Sequence, residues 1–216
     1  LGLAGPLIAA GLRDIIRNMI KLKMVDVVVA TGAIIYQDIY QARGFKHYIG
    51  NPDADDRTLD KLYIDRIYDT YVDDEKFWDT DNWIGRVADT MKPGNYSSRE
   101  FVEELGSRLS DEDSIVRTAY KCGVPIFAPA LNDSSIGIGL TGHYHRCRKN
   151  KLHGVHIDSI QDNYEITQTI VKSKKTAAIY IAGGVPKNYI NDAVVMGYIF
   201  NRETGGHSYA FQLTTD

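Results

Sequence analysis

The chain has 216 residues, with 25 Lys+Arg against 28 Asp+Glu and a formal net charge of -3. Its 44% hydrophobic and 25% charged residues match an ordinary globular domain and exclude a disordered or collagen-like chain. No apolar run approaches the roughly 18 residues of a membrane span, and the charge gives no bulk pull towards nucleic acid. No membrane or nucleic-acid partner is therefore expected. Cys122 and Cys147 cannot form a disulfide framework, so reduced thiols and a cytoplasmic location are the default. The chain begins Leu1-Gly-Leu-Ala-Gly-Pro6 without an initiator Met and stops directly after a strand-like run. The intact protein is expected to extend beyond both ends.

Ile8, Leu12, Ile15, Ile16 and Met19 recur at helical spacing and predict a helix from Leu7 to about Leu22. The β-branched run Val25 to Ala30 predicts a strand buried on both faces. Thr31-Gly32-Ala33 then turns into a helix from Ile34 to Ala42. Residues 50 to 82 are crowded with Asp, interleaved with Leu59, Leu62, Ile64, Ile67, Tyr68 and Tyr71. They are expected to form a loop, a short helix and irregular structure, an acidic insertion in one domain covering 1–216. Trp78 and Trp83 are expected to anchor this insertion, whose acids form a solvated face or attract a cationic partner.

Ser97-Ser-Arg-Glu100 is a capping box opening a helix to about Leu109. A helix from Asp111 to Gly123, a strand from Val124 to Ala128 and a loop from Pro129 to Ser135 follow. A helix to about His145, a polar loop from Arg146 to Lys151 and a strand from Val155 to Ile157 come next. The remaining elements are a helix from Ser159 to Ser173, a strand from Ala177 to Ala182, a helix through Pro186 to Phe200, and a strand from Ser208 to Leu213. Strands alternating with helices predict an α/β fold: a doubly wound, mostly parallel Rossmann-like sheet with helices on both faces. Ligands bind such sheets at the C-terminal strand ends.

Gly137-Ile-Gly139-Leu-Thr-Gly142 matches a dinucleotide-binding string, with Asp158 about 20 residues on. The string does not turn directly out of a strand, so helix packing is the preferred reading. His143, His145 and Cys147 lack a fourth ligand, and no metal site is expected. Lys187 follows Gly183-Gly184 at the predicted ligand face. It can fix an anionic group or repel an amine, or it is a solvated first-turn Lys. Asp133 can bind a ribose hydroxyl or close an Asx-turn.

Several segments, in order along nearly the whole chain, resemble the deoxyhypusine synthase family, especially its archaeal and bacterial-type or deoxyhypusine-synthase-like members. They are Pro6 to Asp14, Met24 to Gly32, Tyr63 to Asp69, Pro125 to Ser135 and Ile181 to Asn188. The resemblance implies an NAD-dependent aminobutyltransferase. Such an enzyme moves the aminobutyl group of spermidine, through an enzyme lysine, to a lysine of the hypusine-containing translation initiation factor. It also implies a homotetramer with sites formed between subunits. Two alternatives accompany it: a homospermidine-type polyamine aminobutyltransferase using putrescine, and an inactive NAD-binding paralogue regulating an active partner in a heterotetramer.

The resemblance assigns cofactor contacts to Gly5, Pro6, Leu7, Ile8, Ala9, Thr31, Gly32, Ala33, Asp133, Gly183, Gly184, Thr215 and Asp216. Gly5-Pro6 stands where the family commonly has Ser-Asn. Substrate positions fall on Tyr36, Gln37, Ile138, Lys187 and Asn188. Tyr36 and Gln37 replace two adjacent acids, Ile138 replaces an aspartate and Asn188 replaces a histidine. The family's Schiff-base lysine lies in a Ser-Trp-Gly-Lys motif beyond the last strand. These 216 residues do not contain that motif, so no catalytic residue is assigned.

Overall fold

The structure, a computed structural model, describes residues 1–215, so Asp216 lies outside the described residues. In chain order, β1 (Gly2–Leu3), α1 (Arg13–Lys21), β2 (Val28–Ala30) and α2 (Gly32–Ala42) come first. They are followed by β3 (Tyr48–Ile49), α3 (Asp56–Asp60), β4 (Ile64–Ile67), β5 (Thr70–Asp73) and α4 (Asp74–Thr90). Next come β6 (Gly94–Tyr96), α5 (Ser98–Arg108), α6 (Ile115–Cys122), β7 (Ile126–Phe127) and α7 (Ser135–Lys149). The chain continues with β8 (Val155–Ile157), α8 (Ser159–Lys172), β9 (Ala177–Ile181), α9 (Gly184–Val195), a 3-10 turn (Met196–Phe200) and β10 (Tyr209–Leu213).

The central sheet has the order β10-β9-β1-β2-β7, with every neighbouring pair parallel. Alternate strand residues point to opposite faces, and each face has its own core. Leu3, Val28, Ala30, Ile126 and Ala128 pack with Ile16 and Ile20 of α1, Ile34 and Ile39 of α2 and Leu105 of α5. Val29, Phe127, Ala178 and Tyr180 pack on the other face with Ile166 of α8 and Tyr189, Ile190 and Ala193 of α9. This is the α/β class, with a mostly parallel sheet between helices, that the strand–helix alternation predicts.

A fully buried carboxylate locks three helices of the first face. Asp38 of α2 accepts from Arg13 Nε of α1 at 2.7 Å, from Ser114 Oγ at 2.6 Å, and from the backbone N–H groups of Ile115 and Val116, each at 2.9 Å. Those two amides open α6, so Asp38 serves as a tertiary cap for a helix far along the chain. The donors offset the large cost of removing the charge from water.

Four expectations need correction. The first helix begins at Arg13, not Leu7: Gly5 and Gly11 adopt φ of +81° and +83°, and turns occupy the residues between them. The polar loop expected at Arg146 to Lys151 is largely helix, because α7 runs to Lys149. The acidic segment is not irregular. It forms an antiparallel sheet of order β3-β5-β4. It ends at Asp73, whose side chain accepts from Lys76 N–H and caps α4, so residues 74–82 are the start of a long helix. Val72 and Thr70 bury one side of β5, and the Asp73 N–H donates to the Tyr40 hydroxyl of α2 at 3.3 Å. Trp83 packs against the first core, whereas Trp78 is 57% exposed and anchors nothing there.

Candidate functional site

The strand order places a switch point beside β1. From β1 the chain proceeds to β2 on one side, while β9 joins on the other. A crevice opens at such a point beyond the C-terminal ends of the strands. The sheet ladder continues into the loops there. Ala4 N–H donates to the Ile181 carbonyl at 3.1 Å, Thr31 N–H to Leu3 at 3.2 Å, and Ala182 N–H to Leu213 at 2.8 Å. The loops after β1, β2, β9 and β10 therefore start side by side.

Helix capping differs between the helices at this edge and the others, apart from the five-residue α3, which also lacks a side-chain cap. The helices α4, α5, α6 and α8 are capped by the side chains of Asp73, Ser97, Ser114 and Asp158. Each helix that follows a strand of the central sheet, namely α1, α2, α7 and α9, receives no side-chain cap hydrogen bond. Their first amides are left for other acceptors, and the helix dipole favours a negative one. Thr31 immediately precedes α2, and its buried Oγ1 has no hydrogen-bond partner. A buried hydroxyl without a partner is costly. Gly5 and Gly184 adopt φ of +81° and +59°, and a Cβ on either would meet nothing within 4 Å. Backbone is thus open to a ligand on both sides of the switch point. Uncapped amides, an unpaired hydroxyl and two open glycines fit the phosphates and ribose of a dinucleotide.

The expected cofactor positions lie on these loops, with Asp133 on the neighbouring loop after β7. Pro6 and Ala9 line a cleft of about 300 Å³ that faces Pro52 and the Ile67–Thr70 hairpin. Ile8 is buried in the core, and Leu7 packs at its margin. Gly32 lies so close to Ser134 that a Cβ would sit 2.3 Å from Ser134 Oγ, which holds the β2 and β7 loops together. Ala33, Asp133 and Thr215 are exposed, and Gly183 precedes α9 as its N-cap residue. The Asp133 N–H closes a turn on the Ala130 carbonyl at 3.0 Å.

The expected substrate positions divide into two groups on opposite faces of the sheet. Lys187 and Asn188 lie on α9. Lys187 Nζ donates to Gln212 Oε1, and Gln212 Nε2 donates to the Ala182 carbonyl at 2.9 Å. Asn188 is exposed. Tyr36 and Gln37 lie on α2 and are almost fully buried. Gln37 Oε1 accepts from Ala9 N–H at 3.1 Å and so braces the loop after β1. The Tyr36 hydroxyl donates to the Phe77 carbonyl at 2.9 Å. Ile138 is 60% exposed on α7.

Two neighbours of Tyr36 escape the sequence reading. The Asp81 and Ser135 side chains both lie within hydrogen-bonding reach of its hydroxyl. Burial pushes the Tyr36 hydroxyl well above its ordinary value, with Asp81 adding to the rise. Burial likewise raises the Asp81 carboxyl, opposed by the Tyr36 hydrogen bond. Only one signal pointed to Asp81: it stands four residues after Phe77, on the same face of α4.

The remaining motifs have structural roles. A Cβ on Gly139 would lie 2.5 Å from the Asp81 carbonyl, and one on Gly85 2.7 Å from the Gly139 carbonyl. The glycine string therefore serves close packing of α7 on α4. His143 Nδ1 meets Asp89 Oδ1 at 2.6 Å, and His143 Nε2 accepts from Val155 N–H at 2.9 Å. Both ring nitrogens are thus committed. Cys122 ends α6 against the core. Among the described residues no group of three or more His, Cys, Asp or Glu is arranged to hold a metal ion, and no helix is long and apolar enough to cross a membrane.

The family model for deoxyhypusine synthase matches residues 1–216. A protein of Methanosarcina acetivorans named probable deoxyhypusine synthase 2 is 46% identical over 220 residues, covering 100% of this chain and 62% of that one. A deoxyhypusine synthase-like protein of Chlorobaculum tepidum is also 46% identical, covering 99% of this chain and 62% of the relative. A crystal structure of a candidate deoxyhypusine synthase from Entamoeba histolytica superposes with a TM-score of 0.65 at 23% identity, over 85% of this chain and 56% of that chain. That likeness concerns the fold. The chain spans about 62% of the length of the curated relatives it matches.

Proposed function

The chain belongs to the deoxyhypusine synthase family, and on that premise we propose that it is the NAD-binding part of an aminobutyltransferase. In this reading it is one domain, with the β3-β5-β4 sheet as its insertion. It acts in the cytoplasm within a tetramer. Its reaction moves the aminobutyl group of spermidine to a lysine of the hypusine-containing translation factor.

The observation that carries the reading is the capping pattern around Thr31. Four helices that follow central strands lack side-chain caps, and a buried hydroxyl lies unpaired among them. The amides opening α2 and α9 would hold the pyrophosphate, with Gly5, Gly183 and Gly184 allowing close approach. Thr31 Oγ1 and Asp133 would accept or donate to sugar hydroxyls. When bound, NAD supplies an acceptor for hydride from the amine-bearing carbon and returns it later. The protein's own part is to bind, to orient and to exclude water. Gln37 keeps the loop after β1 in place through Ala9, and Lys187 is held beside β10 by Gln212. No residue among these 216 is assigned as the transfer nucleophile.

A second reading keeps the cofactor and changes the acceptor. Tyr36 and Gln37 are neutral and engaged with backbone, which favours an amine site unlike that of the members with two adjacent acids at these positions. Putrescine would then accept the group, giving homospermidine. The intact protein in its native assembly, supplied with NAD and spermidine, is expected to release diaminopropane. Adding the translation factor or putrescine then identifies the acceptor by mass. NAD binding without diaminopropane release would support the inactive, regulatory paralogue instead.

A further inference from the structure

We infer that Asp81, beside Tyr36, is the anionic anchor for a primary ammonium group of the amine substrate. The inference rests on the aminobutyltransferase reading above and assigns that site's missing acid. A cationic amine taken into a half-buried site needs an anionic partner, because an unpaired charge there is strongly disfavoured. Tyr36 and Gln37 cannot supply it. Asp81 enters the same place from a different element, α4 rather than α2.

The hydrogen-bond inventory at this place is short of donors. Tyr36 carries one hydroxyl proton, which cannot serve both the Phe77 carbonyl that accepts it at 2.9 Å and the Asp81 carboxylate within its reach. Asp81 Oδ1 is buried and has no hydrogen-bond partner. Arg43, the cation that acts on Tyr36, is already engaged: it donates to Thr80 Oγ1 at 2.7 Å and to Asp79 Oδ2 at 2.8 Å. Asp74 adds further negative potential at Asp81. A carboxylate oxygen without a donor and a tyrosine oxygen with a free lone pair match an ammonium, which has several N–H groups and no acceptor. An anion or a carbonyl does not match.

The aromatic side chains packed around Tyr36 suit the rest of such a molecule. The Phe77 ring meets Tyr36 edge-on at 5.1 Å and Tyr40 at 4.8 Å. Aromatic rings stabilise both a methylene chain and the adjoining charge. The place is rigid as well, since Gly139 of α7 packs directly on the Asp81 carbonyl. It lies at the ligand-binding edge, because Tyr36 is one turn into α2 and Ser135 opens α7.

The test uses the intact protein in its native assembly and measures NAD and spermidine binding separately by calorimetry, for wild type, Asp81→Asn and Tyr36→Phe. Asp81→Asn is expected to weaken spermidine binding by about tenfold or more, the effect of losing a charge-assisted hydrogen bond, and to leave NAD affinity unchanged. Tyr36→Phe is expected to weaken spermidine binding less. Without amine, Asp81→Asn should melt no lower than wild type, because it removes a buried charge that lacks a donor. Wild-type spermidine affinity in Asp81→Asn overturns the inference and leaves the aminobutyltransferase reading standing. So does a marked loss of melting temperature in that variant, which would show a structural partner for the carboxylate. A wild-type protein that binds neither NAD nor spermidine overturns the reading on which the inference rests.

Discussion

Asp162 shows how one buried side chain can make stability depend on pH. It is fully buried on α8 and accepts from Ser98 N–H at 2.8 Å, while its Oδ2 has no partner. Burial raises its carboxyl to about 6 despite the hydrogen bonds from Ser98. The folded chain therefore holds this proton more tightly than the unfolded chain does. Its contribution is fully present below the unfolded value of 3.8 and is lost as pH rises through about 6. Asp162→Asn keeps the shape and cannot ionise. The melting temperature of the variant, relative to wild type, is expected to rise between pH 4 and pH 7; a pH-independent difference would contradict this. Such partnerships are hard to read from sequence because they are long-range. Ser98 lies 64 residues from Asp162, and Asp89 lies 54 from His143. His143 and Cys147 look like half a metal site only while those partners are out of view.

Elements were legible where their signals are local. Ser97 and Glu100 form the full capping box, a β-branched run marks β2, and an apolar run marks β9. The apolar stripe runs unbroken through Leu7 and Leu12 and so predicts a longer first helix, whereas Gly11 takes a left-handed conformation between them. The antiparallel hairpin in the acidic segment carries little sequence signal, because Asp and Tyr crowd out the usual alternation. Only β5 shows it clearly, with Thr70 and Val72 buried. The tight approach of α4 and α7 gives the prediction at this scale. Gly139→Ala would force a Cβ to within 2.5 Å of the Asp81 carbonyl. That is expected to cost about 1–3 kcal/mol as overpacking, read as a lower urea midpoint. A midpoint equal to wild type would show that the helices separate freely.

For the whole molecule, the alternation of strands and helices was enough to predict a parallel sheet between helices. The switch point was not legible, because strand order is not written in the chain. Its central strand β1 has two residues, Gly2 and Leu3, too short for any pattern to mark. The expected cofactor loops came from family resemblance, and the sheet order explains why they lie together. What neither revealed is that all four helices following central strands lack side-chain caps, as does the short α3 of the insertion, whereas α4, α5, α6 and α8 have them. The central claim is that this edge binds NAD. Calorimetric titration of NAD into the intact protein, beside a Thr31→Val variant, tests it most directly. The account predicts saturable binding that the variant weakens by roughly fivefold, the worth of one neutral hydrogen bond, with a melting temperature no lower than wild type. No saturable binding, or superposable isotherms for the two proteins, would contradict it.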